Sequence, residues 1–267
     1  MSEHEFLIGE AQSFWDRQNE LFTRIKERGG FGEYVGSIEY FSELFKAQNR
    51  NVCCMDERTT AGTIRYAGSG ILDQVRAASR LREAGAKGVY SHAGCGAAAL
   101  AYNRLSEEAK MQFINPEAYA VWWAKEVATQ AEIEYLGHLE VSPAFHIARV
   151  TYYDGTGIFD SSRADQLPSG FVISRRYLDE GYAKGDLKLS VDIAFGPHGF
   201  GANRFSNEAP FMLVVIGDPL DERYSLEQLT KEAKEVAMQF EGKVVVDGFV
   251  APGVAQGEAA LELQTAA

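Results

Sequence analysis

Asn51-Val52-Cys53-Cys54-Met55-Asp56-Glu57-Arg58 and, further along, Gly88-Val89-Tyr90-Ser91-His92-Ala93-Gly94-Cys95-Gly96-Ala97 are the two stretches on which the fold turns. Each is a short apolar run that breaks into a loop, at charged residues in the first and at glycines in the second. That is the pattern of a strand running out of a sheet. Between them Ile71, Leu72, Val75, Ala78 and Leu81 recur at helical spacing. Gly85 closes that helix before a strand over Lys87 to Ser91, completing a βαβ step with parallel strands. Open α/β sheets place ligands beyond the carboxyl ends of their strands, so Cys54 and the pair His92 and Cys95 converge across one crevice.

Two thiols and an imidazole in a chain of only three cysteines suit zinc. Zinc takes thiolate sulfur and imidazole nitrogen tetrahedrally, and a catalytic site keeps three protein ligands and one open place. Cys54, His92 and Cys95 meet that need. The plain alternative is that Cys54 and Cys95 are small buried hydrophobes, the usual fate of free cysteine. Cys53 is expected in the core, because adjacent side chains of a strand face opposite ways. Neither Cys53 nor Cys54 has the arginine at the offset that a phosphate-cradling Cys-x5-Arg loop requires. Gly68-Ser69-Gly70 lacks a third glycine at Asp73, so close packing of a helix start explains Gly62, Gly68 and Gly70 better than a nucleotide loop.

Cys54-x-Asp56-x-Arg58, then Arg65-Tyr66-Ala67-Gly68, then His92-x-x-Cys95-Gly96-Ala97 resembles the β-class carbonic anhydrase superfamily, with its three motif elements in the same order. The resemblance implies an α/β fold, a mostly parallel sheet flanked by helices. It implies Zn2+ on Cys54, His92 and Cys95, with Asp56 and Arg58 as the catalytic dyad. The activity implied is a zinc lyase that reversibly hydrates carbon dioxide to bicarbonate by attack of zinc-bound hydroxide. Asp56 would orient the hydroxide and Arg58 would hold Asp56 bidentately; in some members that aspartate instead swings onto the metal and blocks it. The same motifs also resemble relatives that hydrolyse carbon disulfide or carbonyl sulfide, and a zinc-binding regulatory protein without activity is the non-enzymatic alternative. The bland reading of Asp56 and Arg58 is a surface ion pair worth at most about 1 kcal/mol. Two features depart from the family: the segment between Arg58 and Arg65 is short, so the site wall there is rebuilt, and the chain runs on well past the expected core.

The 267 residues are expected to form a single α/β domain: a helical arm over 1–48, a zinc-binding core over 49–160 and a C-terminal α/β extension over 161–267. The arm reads as a helix over 7–28, with Phe6, Leu7, Phe14, Trp15, Leu21, Phe22 and Ile25 as its apolar face, and a second over 38–48. In the resembled family such arms reach over a neighbour, which implies a homodimer or larger homo-oligomer; otherwise they cover their own sheet. A helix is expected over 117–137, holding Trp122 and Trp123 as core or interface. A strand over Phe145 to Tyr153 should turn at Asp154 to Gly157 into a hairpin strand at Ile158 and Phe159, resembling the end of the family core. In the extension, strands are expected at 189–195, 211–216 and 243–246, a helix at 226–240, and a frayed tail at 251–267. Leu220-Asp221-Glu222-Arg223 echoes Met55-Asp56-Glu57-Arg58, for which chance similarity is the default and a decayed repeat the alternative, since no cysteine follows Cys95. His198, in a glycine-rich loop, is a candidate proton shuttle; His138 and His146 default to structure.

A net charge of −12 argues against a nucleic-acid partner. With no long apolar run, no secretory signal and too few cysteines for a disulfide framework, the expected place is the cytoplasm and no membrane partner is expected.

Overall fold

The structure, a computed structural model, describes residues 3–46 and 49–253, with side chains from Gly9 onward. Its described strands form two four-stranded sheets in which every pairing is parallel. The first holds β1 (Asn51–Cys53), β2 (Ile64–Arg65), β3 (Gly88–His92) and β4 (Glu134–Leu139) in the order β2-β1-β3-β4. The second holds β5 (Val150–Asp154), β6 (Gly170–Ser174), β7 (Phe211–Gly217) and β8 (Val244–Val250) in the order β6-β5-β7-β8. The second order repeats the first strand for strand. α3 (Gln74–Glu83) links β2 to β3 as α7 (Glu180–Phe195) links β6 to β7. α4 (Gly96–Asn103), α5 (Glu107–Lys110) and α6 (Pro116–Ala131) link β3 to β4, as α8 (Leu226–Ala237) links β7 to β8.

The two edge strands β2 and β6 meet at a seam. The Val172 amide donates to the Met55 carbonyl at 3.0 Å, and the Arg65 amide to Ser174 Oγ at 2.9 Å. Across the seam the strands run β4-β3-β1-β2, then β6-β5-β7-β8, an order that has the same pattern from either end. The repeat lies in this topology and not in the peptide echo, for Met55-Asp56-Glu57-Arg58 follows β1 whereas Leu220-Asp221-Glu222-Arg223 follows β7, the counterpart of β3.

Local chemistry explains the elements. β5, β6 and most of β7 are continuous buried runs, as expected of parallel strands covered on both faces. Asn115 caps α6 by accepting from the Ala118 amide, with Pro116 in its first turn, and Ser225 caps α8. The arm is α1 (Glu3–Glu27), stopped by Gly29 and Gly30 at positive φ, followed by α2 (Phe31–Val35) and a 3-10 turn over Phe41–Phe45. It lies on its own chain, over the second sheet: Ile25, Phe31, Val35, Leu44 and Phe45 bury against Val150, Tyr152, Val172, Val214, Ile216 and Phe249. A larger core, from Val52 and Leu81 to Val215 and Val236, runs through both halves.

Several expectations are corrected. The helix over 38–48 is the 3-10 turn at Phe41–Phe45, with residues 47–48 outside the described set. Val75, placed on the buried face of α3, is 93% exposed; Ala77, Ala78 and Leu81 are buried instead. The helix over 117–137 ends at Ala131 and the chain continues into β4. Trp123 is core, while Trp122 is partly exposed. The strand expected from Phe145 begins at Val150, and no hairpin follows; Asp154 turns the chain by accepting from the Thr156 amide, and the next strand, β6, pairs parallel with β5. Residues 189–195 belong to α7. Of the tail only 251–253 are described, and the side chains of Phe6 and Leu7 also lie outside the described set.

Candidate metal centre

β1 ends at Cys53, so Cys54, Met55 and Asp56 leave the sheet where β3 delivers His92, and the turn through Gly94 brings Cys95 to the N-cap of α4. Donor atoms of Cys54, His92 and Cys95, all three residues buried, lie within 4.8 Å of one another. The two sulfurs are 4.0 Å apart, close to the spacing of about 3.8 Å that two Zn–S bonds of 2.3 Å at a tetrahedral angle require. His92 Nδ1 donates to the Ala93 carbonyl at 2.8 Å, which leaves the lone pair on Nε2, a buried atom with no hydrogen-bond partner. An orphaned imidazole nitrogen beside two thiols is what a ligand set needs, and the three residues fit a metal ion.

The thiols divide the charge unequally. A hydrogen bond from Cys95 outweighs burial and, with the nearby His92, holds the Cys54 thiol well below its ordinary range. Cys95 is pushed well above it, first by that same interaction and then by burial, although the Ala98 amide at the helix start pulls the other way. Cys95 sits at the N-cap of α4, yet of the two thiols it is Cys54 that is lowered. Burial opposes the charged form of His92, yet Cys54, Asp56 and the Ala93 carbonyl together raise it. Cys53 faces away, its thiol lifted to about 11 by burial.

Asp56 and Arg58 stand beside the cluster. Arg58 Nε donates to Asp56 Oδ1 at 2.9 Å and Nη2 to Oδ2 at 2.6 Å, a bidentate fork whose two side chains are only 3% and 4% exposed. Burial opposes ionisation of Asp56, yet the Arg58 hydrogen bonds and the surrounding His146 and His92 hold its carboxyl far below the ordinary range. This is not a surface ion pair. His92 Nδ1 lies 3.8 Å from Asp56 Oδ2, so the dyad touches the ligand set.

The middle motif element, Arg65 to Gly68, supplies part of the scaffold behind these groups. Arg65, 2% exposed, points its guanidinium at the backbone: Nε donates to the Cys54 carbonyl at 2.7 Å and Nη2 to the Asp56 carbonyl at 2.6 Å. The Gly68 amide donates to Cys54 Sγ at 3.2 Å. Gly68 has φ +54, and a Cβ there would lie 2.6 Å from Ile71 Cγ2, so the glycine is required where the chain passes the thiol. From the other side, Arg58 Nη1 donates to the Pro143 carbonyl at 3.1 Å, and Nη2 lies 3.4 Å from His146 Nε2. His146, expected to be merely structural, is thus in the site, with Nδ1 3.1 Å from Glu57 Oε2. Asp56, Glu57 and His146 also bring donor atoms close together, but Arg58 occupies Asp56, the Ile147 amide occupies Glu57, and the guanidinium opposes a second cation there. His138 is spent elsewhere, on Ser91 at 2.9 Å.

A cavity of about 610 Å³ opens onto the site, lined by Arg58, Cys95, His146 and His198 among polar groups and by Ala93, Ala99, Val141 and Ala144 among apolar ones. His198 is exposed at its edge, and its carbonyl accepts from the His146 amide. Among the described residues, no helix is long and apolar enough to cross a membrane. Compared with protein-family models, curated proteins and solved structures, the chain matches none.

Proposed function

We propose that the protein is a zinc-dependent carbonic anhydrase of β-class type, hydrating carbon dioxide to bicarbonate and a proton. The observation that carries this reading is the buried Asp56–Arg58 fork set against the Cys54, His92 and Cys95 cluster. Zinc held by those three residues would supply a water whose pKa falls from far above neutrality to about 7, a nucleophile at neutral pH. Asp56, kept ionised, can only accept; it takes a hydrogen bond from the attacking water and fixes the direction of its lone pair. Arg58 engages both oxygens of Asp56 and is itself held by the Pro143 carbonyl and His146, which keeps the carboxylate in place. Ala93, Ala99, Val141 and Ala144 give a small linear, apolar substrate a dry wall. The released proton leaves by the cavity that His146 and His198 line.

Stopped-flow carbon dioxide hydration by zinc-quantified protein tests the reading. Activity that requires zinc, Cys54 and Asp56 supports it. Zinc bound without hydration overturns it and points to carbonyl sulfide or carbon disulfide, which share the linear shape.

A further inference from the structure

We propose that the second half of the chain acts as a built-in partner to the metal-binding half, and that Asp186 on α7 is its positioning residue for Cys54. The inference rests on the metal reading above. Asp186 is 2% exposed, and its Oδ2 accepts from the Ala67 amide at 2.9 Å. Among the described residues it forms no ion pair within 4 Å, although a buried carboxylate without such a partner is costly.

Its one backbone contact falls on the strap that passes Cys54. Ala67 precedes Gly68, whose amide donates to Cys54 Sγ, and Gly68, Ser69 and Gly70 all have positive φ, at 54°, 52° and 89°. A left-handed run that includes a serine persists only where its surroundings hold it. The hold comes from three sides: Asp186 on Ala67, the Trp123 indole donating to the Ser69 carbonyl at 3.3 Å, and Ser69 Oγ donating to the Tyr90 carbonyl at 3.2 Å. Trp123 and Tyr90 belong to the metal-binding half; only Asp186 comes from the other. With the Ala67 amide pinned, the next amide is aimed at the sulfur, and an amide hydrogen bond to a ligand thiolate fixes its direction and favours its charged form. The second half, with no cysteine of its own, therefore completes the metal site from across the seam.

The test compares the full-length protein with Asp186→Ala and Asp186→Asn. Zinc affinity is read by competition with a chromophoric chelator, and the sulfur-to-cobalt charge-transfer band is read after cobalt substitution. Asparagine keeps a carbonyl oxygen for the Ala67 amide and should bind zinc within about threefold of the native chain. Alanine should lose about 10–100-fold in affinity, with a shifted cobalt band and unchanged far-ultraviolet circular dichroism. If the alanine variant does not fold, Asp186→Leu, close in size and without a buried charge, carries the same expectation. Native-like affinity and cobalt band in the variant without an acceptor overturn the inference, as does an equal loss with asparagine. A native chain that takes up no zinc overturns the metal reading itself, which separates the two failures.

Discussion

Arg58 shows how much one buried residue can decide. Among the described residues it is the only arginine or lysine in hydrogen-bond contact with the Asp56 carboxylate, which is 4% exposed, so Arg58→Ala leaves a buried charge uncompensated and should cost about 3–5 kcal/mol in urea unfolding. The double change with Asp56→Ala should recover much of that loss. Metal binding has its own sign. Cys95 holds its proton through neutral pH and His92 is raised, so zinc must displace one proton, and a second at lower pH. Apparent zinc affinity should therefore fall as pH falls, by about tenfold per pH unit for each proton displaced, in chelator competition from about pH 8 to about pH 6. The cluster of Cys54, His92 and Cys95 was legible because metal chemistry restricts the residue types. Glu57 and His146 were not, since they meet only through a loop whose path no spacing encodes.

Elements were readable where one period dominated. In α7, Leu189, Val191 and Ile193 alternate like a strand, and that alternation hid the helix. The buried positions Ala183, Leu187, Ser190, Val191 and Ala194 have helical spacing, and Asp179 caps the first turn by accepting from the Tyr182 amide. β4 was hidden for the opposite reason: it carries a glycine at positive φ and a register shift against β3, so it has little pattern of its own. The arm binds through few large rings. Phe45, 1% exposed, meets Phe41, Phe159 and Phe249, and Phe45→Ala should cost about 3–5 kcal/mol in unfolding. On the strap, Gly68→Ala forces a side chain into a left-handed backbone and against Ile71. It should cost about 1–2 kcal/mol in urea unfolding and weaken zinc binding, the second readout separating strap distortion from general instability.

At the scale of the molecule, the parallel sheet next to the metal motifs was legible, but the second sheet's kinship to the first was not, because the kinship lies in connection order and not in residues. A chain ended at residue 147 would strip Met55 and Arg65 of their bonds to Val172 and Ser174 and open the core that runs through both halves. Such a fragment should fail to give a cooperative thermal transition. The full chain should hold one zinc, not two, by elemental analysis, since no cysteine follows Cys95.

Where two identical subunits meet about a symmetry axis, every residue near the axis faces its own copy, and a charge there meets its like. Here α3 carries Arg80, and α7, which holds the same place in the connection order, carries Asp186, whose carboxyl is pushed up to about 7 by burial against the pull of Arg80. A single chain that carries both sides of its seam is free to make them differ, as this one does in placing all three of its cysteines in the first half.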